Sequence, residues 1–226
     1  MKKNHSPVSR GIIGRSLTCR KGFTLIEMAL VLVLVGVLLS MGVELLPMLI
    51  KQSKLSENRS IVKNARTAII GYAQATGRLP TASSDTDGDE DSGVYRGYLP
   101  YVTLGISGND SYTHTLFYAV DPYLTDTDPA TPEGLKKNLG QLISSGSSIG
   151  PYYREGAVDI HVSFVVLSAG ANGRADSVND DNNNGVVAMA GDDYRFEKPG
   201  APETATYDDI LDALSLTDLN GRIPID

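Results

Sequence analysis

From residue 28 to residue 50 the chain has only two polar side chains, Ser40 and Glu44. A run of that length is a transmembrane candidate, because about 20 helical residues cross the hydrocarbon core. A helix also satisfies its own backbone there. Pro47 removes one helical hydrogen bond and should bend the segment. From Lys51 the pattern turns amphipathic. Leu55, Ile61, Val62, Ala65, Ala68, Ile69, Tyr72 and Ala73 recur near helical spacing, with Lys51, Lys54, Glu57, Arg59, Lys63 and Arg66 on the other side. This predicts one continuous helix whose second half lies on a globular domain. Gly77 and Pro80 should stop it. Such a helix, begun near Phe23, would be roughly 80 Å long, far more than a compact domain needs.

Beyond the helix the period changes. Residues 97–106 read as a loop that lays Leu99, Tyr101 and Leu104 on a core, with Pro and Gly setting the turns. Residues 112–120 are rich in β-formers and predict the first strand. Residues 157–167 alternate and then become continuously apolar, as a central strand does. The stretch 121–156 between them is Pro-, Gly- and Ser-rich and reads as a long loop or excursion. A last strand is expected around Asp208-Asp209-Ile210, followed by a short helical tail over residues 216–221. The fold class is α+β, with the long N-terminal helix packed on an antiparallel sheet of three to four strands.

Charge divides the chain. Residues 1–22 hold Lys2, Lys3, Arg10, Arg15, Arg20 and Lys21 and no acid. Without those six, fourteen Lys and Arg face 27 Asp and Glu, a net charge of −13. A basic head before an apolar span stays cytoplasmic, which sends the acidic remainder across the membrane. That acidic surface repels nucleic acid and suits divalent cations or basic partners. The single cysteine, Cys19, lies in the basic head, so no internal disulfide can form.

The border of the apolar run carries one more signal. A carboxylate near a membrane span costs about 3 kcal/mol or more and marks function or a partner, and here Glu27 occupies that position. Hydropathy alone allows an uncleaved signal anchor, since the run is longer than a secretory core and lacks an A-x-A-like cut. The residues Lys21-Gly22-Phe23-Thr24-Leu25-Ile26-Glu27, however, closely resemble the class III signal of type IV pilins and type II secretion pseudopilins. The resemblance implies cleavage between Gly22 and Phe23 by a prepilin peptidase, N-methylation of Phe23, and use of Glu27 in assembly through the N-terminal amine of a neighbouring subunit. Glycine before the cut leaves catalytic groups unobstructed, and a carboxylate buried with an ammonium costs far less than either alone.

The resemblance also sets the organisation. Residues 1–22 are a leader that is removed, 23–50 a transmembrane and filament-core helix, 51–78 its amphipathic half, and 79–226 an extracytoplasmic domain. The implied partners are the peptidase, other pilin or pseudopilin subunits, an inner-membrane assembly platform, and the membrane itself before assembly. The implied location is the inner membrane, single-pass, then a pilus or pseudopilus.

Two acidic stretches are candidate calcium loops. Asp85, Asp87 and Asp89 alternate as hard oxygen ligands do, although Glu90 and Arg96 stand where an EF-hand wants glycine and an acid. Asp180, Asn182 and Asn184, followed by Gly185, form the first half of such a loop, with Asp192 near the place of the closing acid. The other reading of the first stretch is a solvated acidic loop, and of the second an Asn/Asp turn cluster. Asp208 or Asp209 could complete a metal site or cap a loop. Calcium in a C-terminal loop is also what the resemblance to major pseudopilins implies, but their ligands do not map cleanly onto these residues.

No H-E-x-x-H or P-loop pattern occurs, and His5, His114 and His161 are scattered. The expected function is therefore a non-enzymatic filament subunit, a minor pilin or a pseudopilin. The alternative is a membrane-anchored periplasmic binding protein or enzyme.

Overall fold

The computed structural model describes residues 22–146, 148–180, 194–204 and 206–224, without the side chains of Met41, Gly42, Glu44 and Leu45. The chain divides into two units, Met1–Met48 and Leu49–Asp226. One helix, α1 (Leu25–Thr76), runs through residues of both. In the first unit its large apolar side chains from Leu25 to Val43 are exposed wherever they are described. In the second unit Val62, Ala65, Ile69, Ile70 and Ala73 are buried in a hydrophobic core. That alternation of faces is what the amphipathic pattern predicts. The helix ends at Gly77, whose φ is +73° and whose N–H donates to the Ala73 carbonyl at 2.9 Å. A Cβ there would sit 2.2 Å from the Thr131 backbone, so glycine is required twice over.

The second unit is α+β. After α1 come β1 (Arg96–Tyr98), α2 (Tyr101–Leu104), β2 (Phe117–Val120), α3 (Pro132–Ser145), β3 (Tyr152–Glu155), β4 (Val158–Ser168), β5 (Arg195–Phe196), β6 (Ile210–Ser215) and α4 (Leu216–Arg222). Among the described residues the sheet has six strands in the order β1-β2-β4-β3-β5, with β6 also on β4. Every pairing is antiparallel except β3 with β5. The expectation of three to four strands and a purely antiparallel sheet is corrected on both counts. The extra strands are two to four residues long, too short for a period of two to declare itself.

Strand β4 is the hub. Its last seven residues are all buried, with alternate side chains entering different clusters. Phe164 and Val166 join Tyr118, Val120 and Leu214 in the core under α1. Val165 and Leu167 join Phe117, Ala119 and Leu211 on the opposite face, where Ala169, Ala175 and Phe196 cover them. A strand covered on both faces must be apolar throughout, which explains the continuous run read in the sequence. Ser163 interrupts it at a bulge in the register with β6 and donates to the Leu214 carbonyl at 2.7 Å.

The stretch 121–156 is not one long loop. Thr131 caps α3 by accepting from the Gly134 N–H at 3.2 Å, and Pro132 follows in the first turn. Leu135, Leu139 and Leu142, spaced four and three residues apart, are buried. The strand expected over 112–120 is shorter, because Asp110 accepts from the N–H groups of Tyr112 and His114 and holds those residues in turns.

Candidate functional site

Three places carry the residues singled out by the sequence. The first is the start of α1. Thr24 is its N-cap: its hydroxyl accepts from the Glu27 N–H at 3.2 Å, and the Glu27 carboxylate accepts from the Thr24 N–H at 3.5 Å. This reciprocal pair is a capping box, a second use for Glu27 that its position in the apolar run did not reveal. The T-x-x-E spacing could have disclosed it. Phe23 and Ile26 are exposed, and nothing lies within 4 Å of where a Gly22 Cβ would stand. The exposed apolar side chains that continue from here form a surface larger than a soluble monomer ordinarily shows. Among the described residues, no helix is long and apolar enough to cross a membrane.

The second place is the acidic loop before β1. Asp85 accepts from the Asp87 N–H at 2.9 Å, and Asp87 from the Asp89 N–H at 3.0 Å and the Ser83 hydroxyl at 3.2 Å. The Asp85 and Asp87 carboxylates are thus turned onto the loop itself, as Asx turns do. Glu90 reaches the other way, to α1. Arg78 donates to its two oxygens at 2.9 and 2.5 Å, and Tyr72 donates at 3.2 Å. The Arg78 guanidinium holds the Glu90 carboxyl below its ordinary range, with the Thr81 N–H assisting. A carboxylate whose pKa is lower in the folded state stabilises fully above its unfolded pKa and loses that contribution as pH falls through the folded value. Glu90→Gln should therefore be less stable than the parent chain at pH 7. The gap should narrow below about pH 4, where the unfolded glutamate also protonates. Thermal melts of both proteins across that range check this, and a gap independent of pH would refute it.

The third place lies where the loop after β4 meets the approach to β6. Register pairs Ser168 with Ile210, so the residues that follow one strand lie beside those that precede the other. Asp176, Asp208 and Asp209 meet there, each offering a carboxylate oxygen within 4.8 Å of the other two. Asp208 Oδ2 accepts from the N–H groups of Ala171 and Asn172 at 2.8 and 3.3 Å. Asp209 Oδ2 accepts from the Asp176 N–H and the Asn179 side chain, both at 2.8 Å. Asp176 in turn accepts from the Asp208 N–H at 3.1 Å and from the Asn172 side chain. Burial pushes the Asp209 carboxyl up to about 7, and the Asp176 and Asp208 charges add to the effect. Asp208 is raised too, first by burial.

Of the second candidate calcium loop, Asp180 is buried directly after the short 3-10 turn Ser177–Asn179. Asn182, Asn184 and Asp192 lie outside the described residues. Asp208 and Asp209 serve the capping role read for them, and they also join Asp176. That partner is 32 residues upstream of Asp208, and no local motif pointed to it.

Residues 17–43 match the family described as the prokaryotic N-terminal methylation motif. This is the class III prepilin signal of type IV pilins and pseudopilins, and the chain carries it. The matched segment contains Gly22, Phe23 and Glu27 and supports a type IV pilin-like or pseudopilin protein. Such a signal implies processing by a prepilin peptidase and assembly with other pilin-type subunits. Comparison with curated proteins and with solved structures finds no match.

Proposed function

We propose that the chain is a structural subunit, a minor pilin or a pseudopilin, of a type IV pilus or type II secretion filament, and that it performs no catalysis. One observation carries this reading. A prepilin signal stands directly before a capped helix with an exposed apolar surface, and Glu27 is the fifth residue after the expected cut. Water does not favour such a surface; a lipid bilayer or a bundle of like helices does. The helix is stored in the inner membrane with the leader in the cytoplasm and the acidic domain outside. The peptidase cuts after Gly22 and methylates Phe23, and the assembly platform then moves the helix into the filament core.

The test is the N-terminus of the membrane-extracted protein from cells with and without a prepilin peptidase. Mass spectrometry should find N-methylated Phe23 with the enzyme and the full leader without it. An intact leader in the peptidase-positive cells overturns the proposal.

A further inference from the structure

We propose that the cleft between the end of α1, the acidic loop and the segment after β2 binds a neutral saccharide of one or two sugar units. This goes beyond the filament reading and does not depend on it. The cleft has a volume of about 630 Å³, within the range of about 300–1,000 Å³ that small-molecule sites occupy. Three parts of the second unit meet there: Arg78 just past the helix, the loop from Glu90 to Tyr95, and residues 125–130.

The lining excludes most ligand classes. Tyr95 brings its only aromatic ring and Ala130 its only wholly aliphatic side chain, so an apolar ligand finds little to replace water. Anions are excluded by charge. The Arg78 guanidinium is committed to Glu90, at 2.9 and 2.5 Å. The charge left uncompensated is the Asp126 carboxylate, which is exposed and has no partner among the described residues. What remains is a wall with both donors and acceptors free. The Ser92 and Tyr95 hydroxyls make no hydrogen bond among the described residues, and the Ser92 and Gly93 N–H groups take no backbone partner there. A cation uses acceptors alone. A sugar hydroxyl donates and accepts at once, so it answers Asp126 and the free donors together. Tyr95 adds an apolar body with a polar tip, which suits a ring that has C–H faces and hydroxyl edges.

The wall is also fixed before any ligand arrives. The Thr81 N–H donates to Glu90 at 3.2 Å, and the Thr125 and Thr127 hydroxyls donate to the Pro122 and Gly77 carbonyls at 2.9 and 2.7 Å. The Tyr95 carbonyl accepts from the Val120 N–H at 2.9 Å. Groups held in this way lose little freedom on binding. Gly93 keeps the cleft open: its φ is +79°, and nothing lies within 4 Å of where its Cβ would stand.

The experiment uses the full chain in a zwitterionic detergent that carries no sugar. The probes are the methyl glycosides of glucose, galactose, mannose and N-acetylglucosamine, with maltose, lactose and chitobiose, followed by saturation-transfer NMR and calorimetry. At least one should bind with a Kd of about 1 mM, as a ligand of this size and polarity does. Asp126→Ala should weaken binding about tenfold, and Ser92→Ala about threefold. Gly93→Asn should abolish it, because asparagine tolerates the positive φ while its side chain enters the cleft. The Asp126 and Ser92 variants should melt within about 2 °C of the parent, since neither side chain holds the fold. Failure of every glycoside to bind at about 50 mM, well above that Kd, overturns the proposal. So does binding that is unchanged in Asp126→Ala and Ser92→Ala. Binding of lysine methyl ester but of no glycoside also overturns it, and makes the cleft a seat for a basic side chain.

Discussion

Glu27→Leu should yield a chain that is cut and methylated but almost absent from filaments. The reason is the amine that cleavage creates. On the filament reading, the new terminus at Phe23 enters an apolar bundle, where an ammonium without a carboxylate costs about 3–5 kcal/mol. That corresponds to a loss of about two orders of magnitude or more in incorporation. The capping box complicates the interpretation, because leucine also removes the bond from the Thr24 N–H to the Glu27 carboxylate. Losing a cap costs about 1 kcal/mol, too little to account for such a loss. Glu27→Gln separates the two roles, since its amide oxygen can still accept from Thr24 while the charge is gone. Filament content measured by shearing and immunoblotting should fall for both variants. If Glu27→Gln assembles normally, the residue serves the helix start and not the subunit contact.

The second large effect is expected at Asn58, on the buried side of α1. Asn58 is fully buried and holds the helix to the domain through three groups. Its side-chain amide donates to the Ser168 hydroxyl at 3.0 Å, and its carbonyl accepts from the Ser111 N–H at 2.6 Å. The Ser168 hydroxyl in turn donates to Asp110 at 2.7 Å. Asn58→Leu has nearly the right volume but strands the Ser111 N–H and strips a donor from Ser168. Breaking a satisfied buried network on one side costs about 2–4 kcal/mol. For a domain of this size the melting temperature should drop by roughly 5–15 °C. Pairing it with Ser168→Ala should recover part of the loss, with a coupling of about 0.5–3 kcal/mol. A change below about 0.5 kcal/mol for the single variant would place the network outside the cooperative core.

These residues also show what a sequence can and cannot disclose. The prepilin signal and α1 were legible because each is local: seven consecutive residues in one case, a helical period in the other. Strand β4 was legible for a related reason, since burial on both faces leaves an apolar run with no second interpretation. The α3 helix had its start written in Thr131-Pro132 and its face in Leu135, Leu139 and Leu142. Gly134, Gly140 and the serines around them diluted that pattern. The three-carboxylate site was half legible. Asp208 and Asp209 stood out as a pair. Asp176 joins them only because β6 begins, in antiparallel register, beside the end of β4, and that is a property of topology, not of spacing.

The position of β4 has a consequence for the order in which the protein is made. The strand is complete at Ser168, and β2 is already available to pair with it, but its other long neighbour ends at Ser215. Leu214 and Leu219, both fully buried, also come from this later segment. During synthesis, then, the central strand waits with one edge bare until residues 210–215 have emerged. An unpaired apolar edge is a template for joining other chains. A product that stops short of β6 is thus more than an incomplete domain; it is a sticky one. A chaperone that shields residues 162–168 would have its work timed by the arrival of residues 210–215.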